Sequence, residues 1–240
     1  MSSTNISPIP RLEQHARFHG DRVALIYEDR RISYAELFAE AGQLAAAMQK
    51  DGIGRGDRVA YLGMNSATLV VTYLACTWVA AAFVPVNYRF AGPEVRALLE
   101  DARPDIVIAE PAHAVLVDPF TSELGVRRHL LIDGDPSARA PEGAHPSQLW
   151  QPLADFSETG TERVPPQNAY DEDLAVLLYT SGTTGRAKGV MLTHGNVWWN
   201  SVNVDSVVDT RVDDVYLAVA PLFHIGGLNT FTLRGITRGS

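Results

Sequence analysis

The chain has 240 residues, 46% of them hydrophobic and 20% charged, which is enough apolar material for the core of one large domain or two small ones. Its formal net charge of −8 and the lack of a basic stripe exclude a nucleic-acid-binding surface, because the Arg127-Arg128-His129 cluster is too short to neutralise a phosphate backbone. Cys76 is the single cysteine, which rules out an intramolecular disulfide and a cysteine-based zinc site and suits a reducing, cytoplasmic location.

The opening MSSTNISPIPRLEQH lacks the basic start and apolar core of a signal peptide. The pattern predicts a helix over 9–18, a strand VALIY at 23–27, a turn at Asp29-Arg30-Arg31 and a short return strand from Arg31 to Ser33. Ser33 and Glu36 stand at capping-box spacing. Leu37, Ala41, Leu44, Ala45 and Met48 then fall on one face of a helix that Gly52, Gly54 and Gly56 end.

RVAYLG at 58–63 reads as a buried strand. Residues 67–86 carry no charged side chain, about the length a bilayer requires. Thr68, Thr72 and Thr77 interrupt the stretch and Pro85 sits near its end, so a buried helix over 66–80 running into a strand at 83–86 is expected instead of a transmembrane segment. An amphipathic helix follows at 93–102, then a strand DIVIAE at 105–110 and a strand candidate HLLID at 129–133. Short apolar strands alternating with helices imply an α/β fold, with parallel-rich sheets covered on both faces. The expected organisation is a first α/β subdomain over 1–132 and a surface connection over 133–172, rich in Pro, Gly, Ser and acidic residues and ordered only near SQLWQPLADF. A second α/β subdomain is expected to begin at 173, with the phosphate-binding loop, and to be truncated at 240.

DLAVLLYT at 173–180 is the clearest buried strand, and it runs straight into YTSGTTGRAKGV at 179–190. A loop at the carboxyl end of a buried strand is where open α/β sheets bind ligands. Gly182, Gly185 and Gly189 allow backbone amides to approach an anion closely. Thr180, Ser181, Thr183 and Thr184 offer hydroxyls, and Lys188 a compact positive charge. The stretch is not the common P-loop, because Gly189 follows the lysine where that motif needs Ser or Thr. A linker or plain hairpin turn would not need so many hydroxyls beside a lysine, so phosphate binding is the favoured function.

These residues resemble the signature loop of the adenylate-forming superfamily of acyl-CoA synthetases, luciferases and peptide-synthetase adenylation domains. ISYAELFAEAGQLAAAMQKDGIGRGDRVAYLGMNS at 32–66, FVPVNYRFAGPEVRALLEDARPDIVIAE at 83–110 and APLFHIGGLN at 220–229 carry the same resemblance, in the same order. It implies ATP-dependent activation of a small carboxylic acid as an acyl-adenylate, with ATP, Mg²⁺ and CoA as cofactors of the complete enzyme. It implies that Thr180, Ser181, Gly182, Thr183, Thr184, Gly185 and Lys188 hold the β- and γ-phosphates, although Ala187 stands where many members have proline. It also makes His224 a gate between acyl group and nucleotide, with Gly226 and Gly227 leaving floor space for the acyl chain. Without the resemblance, His224 between Phe223 and Ile225 would read as a core histidine, and His194 reads as part of a helix start.

HIGGL resembles fatty-acid and aryl ligases more than peptide-synthetase modules. The family's later Tyr-Gly-x-Thr-Glu and Thr-Gly-Asp segments and its small lysine-bearing C-terminal domain do not occur in these 240 residues, so no catalytic residue is assigned and the protein ligand for Mg²⁺ is expected past residue 240. The expectation is a fragment of an acyl-CoA ligase, inactive alone, whose sheet would leave an unpaired apolar edge. The competing reading is a truncated non-catalytic homologue acting as a nucleotide-binding or interaction module.

Overall fold

A computed structural model describes residues 5–132, 145–180 and 187–240. Helix α1 (Ile9–Phe18) precedes a small hairpin of β1 (Val23–Tyr27) and β2 (Arg30–Ser33). Ser33 then caps α2 (Tyr34–Lys50): its hydroxyl accepts from the Glu36 N–H, and the Glu36 carboxylate accepts from the Ser33 N–H, so the expected capping box forms. Beyond α2 the chain winds through β3 (Arg58–Leu62), α3 (Ala67–Trp78), β4 (Ala82–Val86), α4 (Gly92–Ala102) and β5 (Ile106–Ala109). A short α5 (Pro111–Val117) and a 3-10 turn (Asp118–Glu123) lead to β6 (Arg128–Leu131). After residues 133–144 come β7 (Trp150–Pro152) and α6 (Leu153–Glu158), then β8 (Leu174–Thr180), β9 (Lys188–Thr193) and α7 (His194–Asp205). A π-helical segment (Gly226–Leu233) and α8 (Arg234–Arg238) follow.

Among the described residues the main sheet has seven strands in the order β7-β6-β5-β3-β4-β8-β9. Every neighbouring pair is parallel except β8 and β9, which form an antiparallel hairpin. The two-residue period of a strand sorts its side chains between the two faces. Val59, Tyr61, Phe83, Ile106, Ile108, Val176 and Leu178 pack with α2 and α3 on one face. Ala60, Leu62, Val84, Val86, Val107, Ala109, Leu177 and Tyr179 pack with α4 and α5 on the other. Both faces are therefore covered, which is why these strands are apolar throughout rather than alternating.

The uncharged stretch at 67–86 is α3 and β4, both buried, and no described helix is long and apolar enough to cross a membrane. Ser66 caps α3 through the Leu69 N–H, and Ala80, with φ +58°, turns the chain into β4. At the end of α4 Arg103 takes the left-handed conformation, φ +47°, and the chain re-enters the sheet at Ile106. Within the connection, the segment leading to β8 is strapped across α3: Trp78 Nε1 donates to the Val164 carbonyl at 3.0 Å and Gln167 N to the Trp78 carbonyl at 2.8 Å. Strand β8 then lies beside β4, in the same sheet as the strands that precede the connection.

Candidate functional site at the carboxyl edge of the sheet

Parallel strands deliver all their carboxyl ends to one edge, and the chain leaves each strand there in a turn. Thr180 ends β8 at this edge, and its register partner is Lys188, the first residue of the antiparallel β9. Both residues are exposed. The polar stretch between them therefore joins a hairpin whose two ends are fixed by strand pairing. Ser181, Gly182, Thr183, Thr184 and Gly185 lie outside the described residues.

The base of this hairpin is held to α4, the helix packed on that face of the sheet. Tyr179 is buried one residue before Thr180, and its hydroxyl donates to Asp101 Oδ2 on α4 at 2.6 Å. Burial, and then this bond to a carboxylate, push the phenol well above its usual pKa, so it stays protonated and keeps donating.

The segment carrying His224 reaches the same edge. Strand β3 is followed by Gly63-Met64-Asn65-Ser66, and Asn65 clamps the incoming chain. Its Oδ1 accepts the Leu222 N–H at 2.7 Å, while Nδ2 donates to the carbonyls of Ala220 at 2.9 Å and Ala218 at 3.3 Å. Phe223 is buried against Tyr88, which follows β4, with ring centroids 5.3 Å apart and nearly perpendicular. His224 is exposed, its ring 4.3 Å from that of Phe223. It is therefore not the buried core histidine that its apolar neighbours suggest in isolation.

Two adjacent glycines behave differently. A Cβ on Gly226 would meet nothing within 4 Å, so space is open beside it. A Cβ on Gly227 would stand 2.7 Å from the Pro221 carbonyl oxygen, so its bare backbone is what lets the π-helical segment pack against residues 220–221. His194, by contrast, is buried at the start of α7, where Thr193 and Asn196 form a capping box.

Sequence patterns singled out Thr180, Lys188, His224, Gly226 and Gly227. They did not single out Asn65, Tyr88, Glu110 or His113, which the sheet assembles beneath the His224 segment. Glu110 leaves β5 in the same way that Asn65 leaves β3: a polar residue just past a buried apolar strand, and that is the signal by which both could have been found.

An open, mostly parallel sheet with helices on both faces places the chain in the α/β class. The chain belongs to the AMP-binding enzyme family, whose model matches residues 12–240. It is 34% identical to an indoleacetate–CoA ligase of Aromatoleum aromaticum over 95% of this chain and 43% of that protein. It is likewise 34% identical to a feruloyl-CoA synthase of an Amycolatopsis species, over 94% of this chain and 41% of the relative. The ATP-bound structure of MatB from Rhodopseudomonas palustris superposes with a TM-score of 0.78 at 29% identity, over 99% of this chain and 44% of that one. The chain thus spans less than half the length of these relatives.

Proposed function

We propose that this chain supplies the ATP-phosphate loop and the acyl-side wall of an AMP-forming acid–CoA ligase acting on an aryl or fatty acid. Thr180, Ser181, Gly182, Thr183, Thr184, Gly185 and Lys188 take the outer phosphates, and His224 stands where carboxylate meets nucleotide. The observation that carries this reading is the pairing of Thr180 with Lys188 across a hairpin at the carboxyl edge, beside the strands that anchor the His224 segment. The CoA ligases among the relatives support it, as does the ATP-bound neighbour.

The hairpin has a chemical use. The Lys188 backbone is held by strand pairing at one end of a stretch whose sequence is rich in hydroxyls and glycines, so a polyphosphate would meet a cation and several donors together. Each charge-assisted hydrogen bond contributes about 1.5–3 kcal/mol, so several are needed to hold ATP. Attack of the carboxylate oxygen on the α-phosphorus breaks the bond to the β-phosphate and expels pyrophosphate in line, which makes positioning the main contribution of these residues. CoA would accept the acyl group, and Mg²⁺ would neutralise the phosphates. The parts of the reaction that need an adenosine pocket and a metal ligand are assigned to polypeptide corresponding to the rest of the relatives' length.

ATP titration of the chain, followed by amide chemical shifts, tests the reading. Shifts confined to Thr180, Lys188 and their loop, with affinity lowered about tenfold in Lys188→Ala by loss of one charged contact, are expected. Unchanged affinity in Lys188→Ala would remove the phosphate assignment.

A further inference from the structure

Glu110 is a carboxylate with only 2% exposure, placed where β5 enters α5, and its side chain makes no capping bond to its own helix. It reaches across to β3 instead. Its Oε1 accepts the Met64 N–H at 2.9 Å. Gly63 makes the room: a Cβ there would stand 2.7 Å from the Glu110 carboxyl carbon. The other oxygen, Oε2, lies 3.3 Å from His113 Nδ1 without hydrogen-bond geometry and has no other partner among the described residues. A buried acid so incompletely paired costs stability, and neither its helix nor its strand requires it.

Two routes lead from this carboxylate to the same segment. The first runs through the Met64 backbone to Asn65, whose side chain holds Ala218, Ala220 and Leu222. The second runs through His113, whose ring stands 6.1 Å from Tyr88 and edge-on to it, then to Phe223 at 5.3 Å and His224 at 4.3 Å. We infer that Glu110 is a positioning residue: with His113, Tyr88 and Asn65 it sets the orientation of Phe223 and His224 and hence the fit of the carboxylic acid. The inference rests on the proposed role of His224 in the acyl site.

The test uses the whole chain with its histidine rings labelled for NMR. Glu110→Gln keeps the size and an acceptor for Met64 N–H but removes the charge facing His113. Tyr88→Leu breaks the ring route and leaves Glu110 in place. The His224 ring signal, identified with His224→Gln, is expected to move in both variants. Affinity for indoleacetate should fall about tenfold while that for ATP stays within about twofold. An unmoved His224 signal, unchanged indoleacetate affinity, or equal loss of both ligands would overturn the inference. If Glu110→Gln does not fold, Glu110→Asp, which draws the carboxyl group back from Met64 and His113, decides by the same readouts. If the unmodified chain takes neither indoleacetate nor a fatty acid, the acyl reading of His224 fails, and the ring signal alone still decides whether Glu110 positions that residue.

Discussion

His194 shows at the scale of one residue how the fold constrains chemistry. It is 1% exposed, its Nε2 has no partner among the described residues, and burial lowers its pKa from 6.5 to about 4, with Asp173 opposing the shift and Arg55 adding to it. The folded state therefore resists protonation that the unfolded chain accepts. Stability from the neutral ring is complete above pH 6.5 and is lost as pH falls towards 4, below which the loss levels off. At pH 5 the cost should be about 2 kcal/mol. Urea unfolding at pH 7 and pH 5 measures it, and His194→Gln should remove about 2 kcal/mol of the difference, leaving the part contributed by His129, whose pKa burial also lowers. A pH response unchanged in that variant would mean the ring does not titrate as its burial implies. Tyr179 makes a second prediction at this scale. Tyr179→Phe leaves Asp101 free to be rehydrated, because that residue is exposed, so the lost bond should cost only about 1 kcal/mol by urea unfolding.

At the scale of elements, much was legible in the sequence because local rules and the fold agreed. The Ser33–Glu36 spacing predicts the start of α2, and the apolar run at 67–86 predicts a buried helix followed by a buried strand; both are found. The 3.6-residue period of Leu37, Ala41, Leu44 and Met48 marks the buried face of α2. The pairing of β9 with β8 was not legible, since Gly189 and the short run Val190-Met191-Leu192 carry no clear period. Nor was the π-helical segment, which forms where Gly227 closes on the Ala220–Pro221 backbone. The clamp by Asn65 is illegible for a different reason: its partners lie more than 150 residues away, and only the sheet brings them together. Asn65→Ala should leave the buried Leu222 N–H without its acceptor, at a cost of about 1–3 kcal/mol. Hydrogen exchange should then speed up across residues 218–224 and leave β3 and β5 unchanged. Equal exchange in both proteins would mean the segment is held by Phe223 alone.

The molecule as a whole presents a covered sheet with an uncovered side. Val215, Leu217 and Val219 are 86%, 84% and 80% exposed, and Trp199, Val190 and Met191 are also open on α7 and the edge strand β9. Exposed apolar surface of this kind promotes association. The chain should therefore bind a hydrophobic dye and self-associate at micromolar concentration. Leu217→Lys should reduce both, as followed by dye fluorescence and sedimentation. The fold was legible as α/β from alternating strands and helices, whereas the antiparallel hairpin at the polar loop was not. The support beneath His224 was not legible either, because Tyr88 and Met64 reach the local pair Glu110 and His113 only through the parallel order of β3, β4 and β5.

The central claim is that one edge of this sheet carries two separate functions, a phosphate loop and an acyl wall. The most direct measurement titrates ATP and indoleacetate separately into the unmodified chain, Lys188→Ala and His224→Ala. A crossed result is predicted: Lys188→Ala loses affinity for ATP about tenfold and keeps indoleacetate, while His224→Ala does the reverse. Both ligands lost together in either variant, or neither lost in both, would contradict the account.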